Sequence, residues 1–174
     1  MMIRATVVGL SVFIAALVAD TTHAASVSPG KTAVYASTAA AVIGDPPVTI
    51  VTATIAKGKK KRVLEVDLLV VLTGGPEGAG ILSLAPRVNG LAVMEPTNAG
   101  TTKTATDACL EGPLACTVSA QYWLDLDAAE AAHPGVFSKQ PLVIDGQVGW
   151  GGVGGPPIPP VAGDVSLRAR LQKK

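Results

Sequence analysis

Asp125 and Asp127 stand two positions apart, and Glu130 follows them. Carboxylates at i and i+2 of a strand point the same way, so this cluster has two possible chemical uses. Calcium gathers roughly six to eight oxygens, often including backbone carbonyls. Asp125, Asp127 and Glu130 could contribute some of them, although the Asp-rich pattern of a dedicated calcium loop is absent. Glycoside hydrolysis needs two carboxylates at a fixed separation. Asp125, Asp127, Glu65 and Asp67 are the residues that could supply such a pair. Acidic residues at alternate strand positions also serve as a plain solvated face, and that use needs no ligand. His133 precedes Pro134 in a turn-like stretch. It could join a Ser–His–Asp arrangement, whose members need not be close in sequence, or simply face solvent. The chain carries no G-x-S-x-G elbow, no H-E-x-x-H, no P-loop and no dinucleotide fingerprint, so no cofactor is expected.

Three further features bear on binding. Trp123 lies on the polar side of an alternating segment, between Gln121 and Asp125. A ring there could stack on a sugar, sit in a subunit or partner interface, where Trp is enriched, or be covered by a neighbouring loop such as the one carrying Trp150. Lys57, Lys59, Lys60, Lys61 and Arg62 concentrate five cations in six residues. Such a patch could meet a phosphate-bearing or acidic polymer, or could be a hairpin tip kept soluble and guarded against edge-to-edge pairing. Nucleic acid fits it poorly, because no aromatic is interleaved and the net charge is +1. Residues 151–160 (GGVGGPPIPP) suit a spacer, or a segment docked by a proline-reading partner.

Cys109 and Cys116 are the only cysteines and bracket LEGPLA. In an oxidising compartment they should close a small loop. A structural zinc site needs about four ligands, and His23 and His133 cannot complete one with them, since His23 is expected to leave with the signal segment. The N-terminus points to such a compartment. Arg4 precedes an apolar run from Val7 to Val18, and small and polar residues follow in ADTTHAAS (19–26). This is the layout of a secretory signal peptide, expected to be cut after Ala24 or Ala25. The apolar run falls short of the roughly 20 residues that span a bilayer. A signal segment over 1–25 and one domain over 26–174 are therefore expected, secreted or periplasmic, with no membrane span after cleavage.

The elements that must position these residues read as strands. Residues 34–43 fit a strand or a short helix. Residues 48–56 are rich in β-branched types, and 57–62 form a charged turn from which 63–72 returns as a strand. On that strand Leu64, Val66, Leu68, Val70 and Leu72 share one face. Leu69 and Val71 on the other face imply that one end is covered on both sides. Residues 81–95 give a strand pair or one bent strand, interrupted near Pro86 and at Asn89-Gly90. Residues 96–115 read as a polar excursion pinned by the disulfide. Strands follow over 117–127, 141–148 and 164–171, with a helical turn over 128–133 and an irregular Gly/Pro-rich loop over 149–163. Six to eight strands and no long amphipathic helix predict an antiparallel β-sandwich or jelly roll, with a small barrel as the alternative. The matching functional expectation is a non-catalytic structural or assembly domain that self-associates or holds an envelope protein partner. A glycan-binding module and a hydrolase are the alternatives.

Overall fold

A computed structural model describes residues 23–26, 33–56, 62–73, 80–97, 105–109, 116–138, 141–152 and 158–173. Residues 1–22 of the expected signal segment, Lys57, Lys59, Lys60 and Lys61, and 153–157 of the 151–160 spacer lie outside them. Two five-stranded sheets face each other. Sheet A runs β1 (His23–Ser26), β3 (Val48–Ile55), β9 (Leu142–Gly152), β5 (Gly80–Val88) and β7 (Ala105–Cys109). Sheet B runs β2 (Ala33–Ile43), β10 (Val161–Gln172), β4 (Val63–Leu72), β8 (Thr117–Asp125) and β6 (Glu95–Pro96). The pairs are antiparallel, except that β1 lies parallel to β3. The architecture is the expected β-sandwich rather than a closed barrel.

Alternation explains why these segments pack this way. On β4 the predicted face, Leu64 through Leu72 in steps of two, is buried throughout. Val118, Ala120, Tyr122 and Leu124 of β8 and Val165, Leu167, Ala169 and Leu171 of β10 join it from the same sheet. Sheet A answers with Val51, Ala53, Ile55, Leu82, Leu84, Val88, Leu142, Ile144, Val148 and Trp150. With few aromatics, the interior is filled mainly by branched aliphatics, which suit pleated, close-packed faces. Its buried tyrosine needs a partner for its hydroxyl. Tyr122 on sheet B donates to the Leu84 carbonyl on sheet A at 2.6 Å, a polar tie through the apolar layer.

The Cys109–Cys116 disulfide is formed. It joins the end of β7 in sheet A to the residue preceding β8 in sheet B, so it fastens one sheet to the other. Strand β2, at the edge of sheet B, is interrupted midway. Ala41 pairs with Gly163 and Thr38 with Val165, so Ala39 and Ala40 together face Asp164. Ala40 takes a positive φ of 52°, and its N–H donates to Asp164 Oδ1 at 2.9 Å. The carboxylate thereby satisfies a donor that the bulge would otherwise strand.

Several expectations need correction. Residues 57–62 do not tip a hairpin: β3 and β4 belong to different sheets, so this connection crosses from sheet A to sheet B. The 149–163 loop is shorter than expected, because β9 continues through Gly152 and β10 begins at Val161. Gly149 sits in the strand because a side chain there would collide with Pro47. Residues 96–115 contain β7, and β5 runs unbroken through Pro86. The strand predicted over 117–127 stops at Asp125, where helix α1 (Leu126–Ala132) begins. Asp125 and Asp127 therefore do not project side by side from one strand.

Candidate functional site

The outer face of sheet B collects most of the residues that the sequence marks for binding. Pairing registers place Glu65 of β4 on one side of Trp123 and Glu95 of β6 on the other. Directly paired residues share a face, with Cβ atoms about 5 Å apart, so the indole stands between two carboxylate-bearing neighbours. It is 42% exposed. Trp150, named with the loop suggested as its cover, is buried in the core. Gln121 occupies the adjoining row, opposite Asp67. Asp67 in turn pairs with Arg168, and Arg168 with Tyr35.

Beside the indole runs a groove of about 250 Å³. Trp123 forms one wall, and Ala128, Ala132 and His133 of the α1 segment form the other; Val93, Glu95 and Asp125 complete the lining. The helix exists because Asp125 caps it. Its carboxylate accepts from the N–H groups of Asp127 and Ala128 at 3.0 and 3.3 Å, satisfying amides that have no partner within the first turn. The small alanines that follow keep the groove open. His133 ends the helix, its N–H donating to the Ala129 carbonyl, and its ring meets Phe137 edge-on. Trp123, Asp125 and His133, three separate points in the sequence, thus line one groove.

The other carboxylates have structural partners. Asp127 accepts from Arg62 at 2.7 Å, which anchors the end of the basic run to α1. Glu65 pairs with Arg170, and that partner, by hydrogen bond and charge, holds the guanidinium proton more firmly still. Glu130 accepts from the N–H groups of Gly135, Phe137 and Ser138 at 2.6, 2.7 and 2.7 Å. The Gly135 amide first, with the other two, lowers its carboxyl below the ordinary value of 4.5, although partial desolvation opposes this. The proposed calcium residues Asp125, Asp127 and Glu130 are therefore a helix cap, an ion-pair partner and a loop clamp. Among the described residues, no group of three or more His, Cys, Asp or Glu could hold a metal ion.

The Glu130 clamp sets a pH dependence. A carboxyl lowered in the folded state stabilises the fold above its unfolded pKa, and that contribution is lost as pH falls through the folded value. The protection factors of the Gly135, Phe137 and Ser138 amides, exchange taken relative to the intrinsic rate at each pH, are therefore expected to fall on acidification below about pH 4.5. Glu130→Gln should lower them at neutral pH. Equal protection in parent and variant at pH 7 would contradict the clamp.

A second depression, of about 260 Å³, lies elsewhere on the same face. Tyr35, Leu69 and Val71 line it with Ser37, Asp164 and Ser166. Leu69 and Val71 are thus not covered from both sides: Leu69 is 37% exposed and Tyr35 62%. Sequence reasoning missed Tyr35, Val93, Glu95 and the two alanines, because only strand pairing brings them to Trp123 and Leu69. Among the described residues, no helix is long and apolar enough to cross a membrane. No known family model matches the chain and no curated protein matches it, so its function is read from the geometry of this face.

Proposed function

We propose that this chain is an exported, non-catalytic assembly domain of the cell envelope or the extracellular space. It joins a second copy of itself, or a protein partner, through the outer face of sheet B. One observation carries this reading: the two outer faces of the sandwich differ. Sheet A presents Thr52, Thr54, Ser83, Arg87, Asp145 and Gln147 outward, with Val48 and Ile81 its exposed aliphatics and no exposed aromatic among the described residues. Thr52 is already bonded to Asp145. Sheet B presents both exposed aromatics, Tyr35 and Trp123, together with Leu69 and Val71. Aromatics surrounded by polar groups are what protein interfaces use. The inter-sheet disulfide agrees with an oxidising compartment, and the apolar N-terminal segment agrees with export.

The patch around Leu69 tests the reading. Light scattering behind size-exclusion chromatography, over a range of concentrations, is expected to show a discrete oligomer or a complex with an envelope protein. Leu69→Asp places a charge in the depression without touching the core. It should weaken association by about tenfold or more, since burying a leucine is worth roughly 1.5–3 kcal/mol, while leaving the monomer's melting nearly unchanged. A strictly monomeric parent that recovers no envelope partner would overturn the proposal.

A further inference from the structure

The groove beside Trp123 differs in character from the Leu69 patch. We infer that it is a saccharide subsite, built to hold one neutral pyranose ring of a glycan. A pyranose ring is amphipathic. One face can be nearly all C–H, while its rim carries hydroxyls. The site has the same division. The indole of Trp123 offers a flat apolar face on an exposed strand, and an acidic residue pairs with it on each side, Glu95 and Glu65, the latter also held by Arg170. An aromatic platform with a few placed polar groups is how small polar rings are held and oriented. The groove of about 250 Å³ admits the edge of a single ring, and its shallow far wall is set by Ala128.

Charge narrows the class. Glu95 and Asp125 line the groove beside the indole, while the charge of Glu65 is already offset by Arg170. A uronate or phosphate-bearing glycan would therefore bring like charges together in the groove, and the ring it takes is neutral.

The chain contains two tryptophans, and Trp150 is buried, so the neutral quencher acrylamide should act chiefly on Trp123. Titration with cellohexaose and chitohexaose, two neutral probes, is expected to shield Trp123 from acrylamide saturably, while oligogalacturonate is not. Trp123→Ala should lower the calorimetric affinity for the neutral probe by about 30-fold, as for an interface tryptophan, with melting unchanged. Ala128→Arg keeps the indole but closes the groove, and should lower affinity by about tenfold. Leu69→Asp should leave affinity as it is, which separates this site from the assembly surface. Absence of shielding by both neutral probes at millimolar concentration would overturn the inference. So would shielding by oligogalacturonate alone, or undiminished affinity in Trp123→Ala.

Discussion

Trp150→Ala is expected to lower folding stability by about 3–5 kcal/mol, the range for deleting a large buried aromatic. That is a large share of the roughly 5–15 kcal/mol that holds a domain together. Trp150 is among the largest fully buried side chains of the described residues, and its strand is fixed by its N–H bonding to the Gly44 carbonyl at 2.9 Å. The ring also dictates its neighbour. A Cβ at Gly80 would fall on Trp150 Cη2 and Cζ2, and a rigid indole wedged in a strand cannot rotate away. Gly80→Ala is therefore expected to destabilise by about 1–3 kcal/mol through overpacking. In a Trp150→Leu background the same change should cost much less. Urea unfolding of the four proteins, read by circular dichroism, measures this coupling. Additive effects would show that Gly80 is glycine for some other reason.

The second large effect concerns the bond between the sheets. Replacing both Cys109 and Cys116 by serine is expected to lower stability by about 2–3 kcal/mol, from the loop-closure entropy of a short ring. This corresponds to a fall in Tm of roughly 5–10 °C for a domain of this size. Because the bridge ties β7 to the start of β8, its loss should loosen the sheet A edge first. Amide exchange of β7 should therefore rise more than that of β4. Thermal unfolding of the double variant and of the reduced parent should agree. An unchanged melting temperature in both would contradict the role assigned to the bond.

The strands that could be read from the sequence are those whose two faces differ. β4 was legible to the residue, Val63–Leu72, because its inward face is apolar at every second position and a charged stretch precedes it. β10 was legible by its alternation and β3 by its β-branched content, to within a few residues at each end. The helix at Leu126 was displaced because Leu124, Leu126 and Asp125, Asp127 continue the period of two across the boundary. Only the capping hydrogen bonds from Asp125 reveal that the chain turns there. β7 was hidden in a polar stretch because an edge strand can be held by pairing with one neighbour, here β5, without a strong pattern of its own. The glycines of 149–152 read as loop, yet they are strand residues, and at Gly149 a Cβ would collide with Pro47. At the binding face, Trp123 was legible as an aromatic on a polar side. Its flanking glutamates were not, since Glu65 and Glu95 meet it only through pairing partners far away in sequence.

Sheet edges are where one β-protein can template another. Three of the four outer strands here are short: β1 has 4 residues, β7 has 5 and β6 has 2. Only β2, with 11, is long enough to recruit a foreign strand along its length. It carries no charge or proline to discourage one. The doubled residue opposite Asp164 does that work instead, by putting the two halves of β2 out of step with each other. An incoming strand in register with Val34 to Ser37 is out of register by Val42, so a ladder cannot propagate from copy to copy. In a chain rich in alanine and valine, the one long outer strand among the described residues is thereby broken against residue-by-residue templating.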